Sequence, residues 1–521
     1  MYYLKKIKPL HLIIIIFFFT NLLFLTAFPF VHSDEAWLSG LSRSILLKKN
    51  PGITEPFFDL YPRNPHAIKI LFHLLQIFFI KLMGYNIFTF RFISLLAGTL
   101  SLYYFYKITK KITGSNSLAN LAVIMMGVDI QFIYASHFAR QEIILLLIML
   151  ISFSYLLEKY TYKNLICQDI IIALILGAGI GIHPNSFVIA LPFILIYSYN
   201  FFISRKIKVK NYLAFVGILT LIALFFIYLS FRFDPDFINN YTAYGQSLGV
   251  SSPILLKISR LGGFYKKLFH SISATYYTPS IKFQFIIFAF ALLSSPLRLS
   301  LIKKNKIKID EGNILLLLMF VGINLAYIII GRYNQTSIIF IFPISYLLIL
   351  SIVSALRRKY SFIILTLIII ILAANTITAL INNSYYDYNE YLAEIKKVVD
   401  KGDSVLANLN AEYCFDNAKL RDYRNLAYLE LNEISFSEYI TSNMIEYIIY
   451  PEEMDFIFNS RPIWNTLYGN LHPYYQDMQE FFNNNCTLVH SFSNRTYGMR
   501  IARYIGKEDW EIKIYKVAEM P

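Results

Sequence analysis

Two adjacent carboxylates, Asp34 and Glu35, lie in the stretch Val31-His32-Ser33-Asp34-Glu35-Ala36-Trp37, just past an apolar run from about His11 to Phe30. Acids held at a membrane surface are costly to desolvate, so they mark either a functional group or an ordinary span end that opens a surface helix. Other polar clusters recur further along the chain: Arg63-Asn64-Pro65-His66, His137 with Arg140 and Glu142, His183 with Asn185, and Arg332-Tyr333. An acid that takes a proton from an incoming hydroxyl, beside cations that hold a departing phosphate, is chemistry such a set can perform. Each member also has an ordinary explanation. Arg140 and Arg332 at span ends would snorkel to headgroups, and His183 before Pro184 would mark a helix end.

The elements that must position these residues follow from composition. Of 521 residues, 56% are hydrophobic and 17% aromatic, and the mean hydropathy is +0.50. Soluble chains carry about 45–50% apolar residues, which makes this a polytopic α-helical membrane protein. The net charge of +15 lies in short loops between apolar runs, as the positive-inside bias requires, so nucleic acid is excluded as the partner of that charge. Three cysteines give neither a disulfide framework nor zinc-ligand spacing.

Lys5, Lys6 and Lys8 precede the first run and place the N-terminus in the cytoplasm, with Asp34 and Glu35 emerging outside. Residues 34–86 form a long external segment. It holds a helix from Glu35 that stops at Asn50-Pro51-Gly52, then an apolar stretch broken by Lys69, His73, Gln76 and Lys81, which suits an interfacial helix. About eleven spans are expected. The second covers Ile87 to Tyr106, the third 117–134, the fourth 143–157, the fifth 169–182 and the sixth 187–203. The seventh ends near Phe231, the eighth at Arg298 and the ninth at Gly331; the tenth contains Pro343, and the last is 361–381. This arrangement leaves every basic loop inside, every unusual polar cluster outside and the span centres nearly all apolar. The external loop 232–282 carries Tyr276, Tyr277, Lys266 and Lys267.

From residue 382 the long apolar runs stop. The chain therefore divides into a transmembrane domain, 1–381, and a small external α/β domain, 382–521. A helix is expected over Tyr388 to Asp400, and strands over Ser404–Ala407, Met444–Tyr450, Cys486–Phe492 and Trp510–Val517. Cys414 and Cys486 are either a disulfide or two buried thiols, since sequence does not give their separation.

Taken together, the motifs resemble the GT-C fold glycosyltransferases, and within them the protein O-mannosyltransferase and lipid A aminoarabinose transferase branch. The resemblance rests on Asp34-Glu35 after the first span, the Asn-Pro-His turn, Arg91-Phe-Ile-Ser-Leu-Leu-Ala-Gly98, and His137-Phe-Ala-Arg140-Gln-Glu142. Gly179-Ile-Gly-Ile-His183-Pro184 and Arg332-Tyr333 with Pro343 extend it, so that it covers about residues 10–360. It implies a polyprenyl-phosphate-linked sugar donor, attacked with inversion by an acceptor hydroxyl of a protein, lipid or glycan, in the plasma (inner) membrane. Asp34 would be the base, supported by Glu35; Arg140 and Arg332 would bind the phosphate; and Glu142, His137, His183, Arg63, His66 and Tyr333 would contact substrate. Lys266 and Lys267 are further phosphate candidates by position. Relatives carry Lys-Pro-Pro or His-Pro-Pro where this chain has Asn64-Pro65-His66, so Arg63 or His66 would have to supply the charge Asn64 lacks. Glu142 replaces the usual Asp. With no Asp-x-Asp pair, no metal is required by the sequence, and a divalent cation stays an open auxiliary.

Two other readings stand beside this one. A glycan polymerase or ligase would use a lipid-pyrophosphate donor at a similar outward site. A transporter or scaffold should instead place polar groups near the bilayer midplane in matching halves.

Overall fold

The computed structural model describes residues 8–59, 64–159, 166–247, 249–272, 275–303, 311–383, 388–500 and 509–518. Helix α1 (Pro9–Leu23) leads to the Asp34 segment, where α2 (Ser33–Lys48) begins. Local chemistry sets that start. The N-cap His32 accepts the Asp34 N–H on Nδ1 at 3.0 Å, and Glu35 reaches back to accept the His32 N–H at 3.0 Å. This reciprocal cap fixes the first turn so that the Glu35 side chain is sealed while that of Asp34 keeps 18% exposure. The helix ends where expected, at Lys49 in the left-handed region ahead of Asn50-Pro51.

Helix α3 (Ile70–Met83) has the polar spacing that suggested an interfacial helix. His73 and Gln76 point inward to the Ser42 hydroxyl of α2, at 2.8 and 2.6 Å, and Leu74, Phe78 and Leu82 face outward. There follow α4 (Ile87–Thr113), α5 (Asn116–Gly127), α6 (Ile130–His137), α7 (Glu142–Lys159), α8 (Ile166–Ala178) and α9 (Ser186–Ser198). After these come α10 (Val209–Phe233), α11 (Phe237–Ser247), α12 (Ile254–Phe269), α13 (Lys282–Lys303), α14 (Glu311–Ile330), α15 (Ile341–Val353) and α16 (Arg358–Ile381).

The protein is a multi-pass membrane protein. Among the described residues six segments are long and apolar enough to cross a bilayer, at 87–113, 186–203, 209–233, 312–330, 335–353 and 358–381. The pair α5–α6 makes a seventh if counted as one span. The expected eleven are therefore matched only in part, because helices such as α1, with 15 residues, and α8, with 13, fall short of the roughly 20 a straight crossing needs.

The expected third span is two helices bent by 65°. At the break the Asp129 carboxylate accepts the Gln131 and Phe132 N–H groups at 2.8 and 3.0 Å, capping α6. It also accepts Gln284 of α13 at 2.9 Å and the Tyr346 hydroxyl of α15 at 2.5 Å. Asp169 of α8 likewise accepts Tyr197 and Asn211, each at 2.6 Å. Asp129 lies at the break in the third span and Asp169 in the first turn of α8. Their hydrogen bonds tie helices together, which is how a buried acid is made tolerable.

Beyond α16 the chain forms α17 (Tyr388–Lys396), β1 (Val405–Ala407), β2 (Leu420–Asp422), α18 (Leu426–Leu431), α19 (Phe436–Ser442) and β3 (Tyr447–Pro451). It finishes with α20 (Glu453–Ser460), α21 (Leu471–Asn485), β4 (Cys486–Asn494) and β5 (Trp510–Val517). The sheet order is β2-β1-β3-β5-β4, with β2, β1 and β3 parallel and β5 antiparallel to both neighbours. Strand β2 is too short, at three residues, to carry a readable alternation, and the sequence did not suggest it.

Alternation along the strands builds two cores. Leu406, Ile448 and Tyr450 face α18–α21, while Val405, Ala407 and Ile449 face α17. The second core also contains Val31, Ala36, Phe57, Phe58 and Ile87, so the external domain is packed directly onto the segment that carries Asp34. Polar contacts fasten it there: Arg43 pairs with Glu412 and donates to the Phe415 carbonyl at 2.7 Å, and the Asn410 amide donates to the Val31 carbonyl at 3.1 Å. Cys414 and Cys486 are free thiols that belong to different cores, which decides against the disulfide.

Candidate active site

Glu35 is the anchor of the site rather than its reactive face. Its two oxygens accept Arg91 Nε and Nη2 at 2.9 and 2.8 Å, the His32 N–H at 3.0 Å and the Ala139 N–H at 2.9 Å. Arg91 in turn donates Nη1 to the Leu25 and Pro29 carbonyls at 3.1 and 2.9 Å. Both side chains are fully buried. One acid thus joins the start of α2, the start of α4 and the loop that leads to Arg140. Gly98 lets α6 come close to α4: a Cβ there would meet the Ser136 hydroxyl at 2.2 Å.

Asp34 lies one residue earlier and points the other way. Its carboxylate accepts Arg140 Nη1 and the Tyr276 hydroxyl, and Arg140 Nη1 also lies 2.7 Å from that hydroxyl. Arg140 Nη2 reaches Glu142 Oε1 at 3.2 Å, and Glu142 accepts the Thr336 hydroxyl at 2.6 Å. The His32 ring stacks on Tyr276 at 4.3 Å and 15°. Burial pulls the Asp34 carboxyl upward, but His32, Arg140 and the Tyr276 hydroxyl outweigh it and hold it well below the ordinary carboxylate range. Burial pushes Tyr276 up, so it stays a donor, and burial with the neighbouring arginines pushes His32 down to about 4. The result is an ionised aspartate clamped by one arginine and one phenol. Two polar atoms beside it, Arg140 Nε and Glu142 Oε2, are buried and have no hydrogen-bond partner among the described residues.

A second group of cations gathers about His183. Burial, then the charges of Lys69, Arg140, Arg332 and His66, hold the His183 ring well below the imidazole range. Its Nδ1 accepts the Asn185 N–H at 3.0 Å, so the neutral ring carries its proton on Nε2. His66 is held at about 4 by burial and Lys69, with its Nδ1 unpartnered among the described residues.

Known proteins share this architecture. Residues 65–231 match the family described as dolichyl-phosphate-mannose-protein mannosyltransferase. The structure resembles the ArnT of Cupriavidus metallidurans bound to undecaprenyl phosphate at 12% identity and a TM-score of 0.51, over 85% of this chain and 95% of that one. It also resembles the oligosaccharyltransferase of Archaeoglobus fulgidus with zinc and sulfate, at 13% identity and a TM-score of 0.55, over 87% and 69%. The AglB of the same archaeon, in complex with an inhibitory peptide and a dolichol-phosphate, gives 12% identity and a TM-score of 0.54 over 93% and 73%. The chain has the GT-C fold. No curated protein matches it in sequence.

Within this GT-C fold the expected residues divide by position. Asp34, Arg140 and Glu142 converge, and the charges of Lys69, Arg140 and Arg332 reach the neutral His183 ring. His137 is corrected: it is fully buried, bonded to the Phe28 carbonyl at 2.8 Å and to Asn21 at 3.0 Å, and packs beneath the site. Tyr333 is corrected as well, because its hydroxyl donates to the Lys257 carbonyl at 2.5 Å and its ring lies on Phe264, pinning α12. Glu35 holds the site without facing it. Lys266 and Lys267 are exposed in the last turn of α12. Arg63 lies outside the described residues.

Tyr276, Thr336, Lys69 and Arg91 are the neighbours that sequence reasoning did not assign. Arg91 was visible as part of a motif, but its partner was not. The charges of Arg424 and Arg500 of the external domain also reach His32, and no sequence signal marks them. As for a metal, Asp34 and Glu142 are bridged by the Arg140 guanidinium, and among the described residues no three His, Cys, Asp or Glu side chains group together. These residues do not compose a cation cage.

Proposed function

We propose that this chain is an inverting glycosyltransferase that moves a sugar from a polyprenyl-phosphate donor to an acceptor hydroxyl at the external face of the plasma (inner) membrane. The observation that carries the reading is the Asp34 carboxylate held against Arg140, with Glu142 on the other side of the same guanidinium. In the reaction the acceptor oxygen bonds to the anomeric carbon as the bond from that carbon to the phosphate oxygen breaks. The acceptor proton passes to Asp34, and the lipid phosphate leaves as an anion. One carboxylate is enough, because a phosphate needs positive charge rather than a proton to depart. Arg140, Arg332, Lys69 and neutral His183 supply charge and a hydrogen-bond donor.

The clamp also suits a resting state. While Arg140 holds Asp34, the carboxylate is a weak base; a donor phosphate competes for the guanidinium and frees Asp34 as the substrate arrives. The family match over 65–231 and the lipid phosphates bound by two structural neighbours support a lipid-linked donor. The orientation with the N-terminus in the cytoplasm rests on the distribution of basic residues among the loops.

The test uses the full chain in liposomes with defined lipid-linked sugars. Asp34→Asn should bind the donor and lose transfer by about 10²- to 10⁴-fold, the range for a general base. Retained transfer would remove Asp34 from the role. Transfer from a pyrophosphate-linked donor alone would favour the ligase reading.

A further inference from the structure

Behind Asp34, on the side of the external domain, lie two arginines with unequal partners. Arg424 is held by Asp422, with Nε to Oδ1 at 2.6 Å and Nη2 to Oδ2 at 3.3 Å, and its guanidinium lies 4.4 Å over Phe58 and 5.3 Å over Trp37. Trp37 is one helical turn beyond Asp34 on α2. Arg500 follows Tyr497, whose hydroxyl accepts the Val31 N–H at 3.2 Å, three residues before Asp34. Its backbone N–H is fixed on Glu453 at 2.8 Å, yet Nε and Nη1 of its guanidinium are shielded and have no hydrogen-bond partner among the described residues. The residue as a whole is half-buried. Its charge reaches both His32 and Asp34.

Asp422 is the acid both arginines feel, and it already serves Arg424 and the Leu409 N–H at 3.0 Å. Two guanidinium nitrogens left without a partner among the described residues are unfavourable for folding alone, because burying unpaired charge costs stability. They call for a ligand that completes them. The ligand must be anionic, with oxygens that accept from the guanidinium as those of a phosphate or carboxylate do.

Which substrate brings the anion follows from placement. A donor phosphate is tethered to a lipid and so belongs with the transmembrane domain, whose Lys69, Arg140 and Arg332 gather about His183. Arg424 and Arg500 belong to the domain that approaches Asp34 from the other side. We infer that Arg424 and Arg500 form an anion subsite for a phosphate or carboxylate carried by the acceptor, close to the hydroxyl that Asp34 deprotonates. The inference rests on the proposed role of Asp34 for its second half, and on the arginines alone for its first.

Trp37 lies under Arg424 and is one of three tryptophans, so it reports on the subsite. Full-length protein in detergent micelles is titrated with inorganic phosphate, with glucuronate and with neutral glucose, and the Trp37 signal is taken as the difference from Trp37→Phe. Phosphate or glucuronate should give a saturable change that glucose does not, and the stronger of the two anions identifies the acceptor's group. Arg500→Gln should weaken that binding about 10-fold or more, the scale of a charged hydrogen bond, while Arg500→Lys restores part of it. A thermal melt should show Arg500→Gln at least as stable as wild type, since it removes an unpaired charge. Arg332→Gln, on the donor side, should leave the titration unchanged.

A flat Trp37 signal, equal binding by Arg500→Gln, or loss of binding in Arg332→Gln would overturn the subsite. Failure of the base assignment reads differently. Asp34→Asn would then keep transfer while the Arg500-dependent anion signal persists.

Discussion

Replacing Glu35 separates a positioning acid from a reacting one. The side chain accepts four hydrogen bonds and faces a fully buried guanidinium. Glu35→Gln keeps the shape but turns one oxygen into an NH₂ that meets donors, either Arg91 Nε with the Ala139 N–H or Arg91 Nη2 with the His32 N–H. It also leaves the Arg91 charge unpaired. Removing one partner of a buried pair costs about 3–5 kcal/mol, roughly 10²- to 10⁴-fold in the folding equilibrium. Arg91→Leu should cost a comparable amount, and Glu35→Leu with Arg91→Leu should cost less than the sum, since the double change leaves no orphaned charge. The assay is a thermal melt of protein in nanodiscs, with transfer measured on the surviving folded fraction. The expected pattern is a large loss of stability, with activity per folded molecule reduced much less than for Asp34→Asn. A Glu35→Gln protein with the wild-type melting point and no transfer would refute the anchor reading and return Glu35 to the chemistry.

Arg140→Gln should reduce kcat/KM by about 10²- to 10³-fold, the scale for a lost anion-stabilising donor; a change confined to KM would place Arg140 in uniform binding instead. Because Asp34 is held ionised far below neutrality, and His32, His66 and His183 are held neutral, kcat/KM should show no acid limb between pH 8 and pH 5; an apparent pKa near 6.5 would point to an imidazole base. His32 carries a stability term of definite sign. Its pKa is 6.5 in the unfolded chain and about 4 in the fold, so the unfolded state takes up the proton first and stability falls as pH drops from 6.5 to 4, by at most about 3 kcal/mol, with His32→Gln flattening that part of the profile. Dialysis against EDTA should leave transfer unchanged, since Arg140 stands between the two acids; a loss restored by added Mg²⁺ or Mn²⁺ would overturn that view.

What the sequence disclosed depended on whether a residue's meaning is local. Helix α2 was legible from the apolar spacing after Glu35 and the stop at Asn50-Pro51-Gly52, whereas the His32–Glu35 cap that starts it was seen only in the structure. The strands β1, β3, β4 and β5 were legible from short apolar runs, and β2 was not, being three residues long. The break in the third span was hidden because Asp129 draws its partners from α13 and α15, far along the chain. His137 shows the same limit from the other side. It sits three residues from Arg140 in one motif, yet Phe138 turns the backbone into an extended conformation, so the histidine goes down into the packing while the arginine goes up to Asp34. Arg424 and Arg500 carry no local mark at all, since their importance comes only from the docking of the external domain on Val31, Phe57 and Phe58.

That docking changes what the opening carboxylates are for. Val31 is bonded on both sides by the external domain, its N–H to Tyr497 and its carbonyl to Asn410, while Glu35 four residues later is bonded to α4 and to the Ala139 backbone. Asp34 is thus suspended between two fixed points, Val31 tied to the external domain and Glu35 tied to the transmembrane one. Its own partners, Arg140 and Tyr276, hold it through side chains rather than backbone, and a ligand can exchange those contacts without unfolding anything. A base must be rigid in place and free in charge. Glu35 and Val31 provide the first condition, and the exchangeable Arg140 clamp provides the second. On the proposed function, that division gives each of the two adjacent acids a separate task.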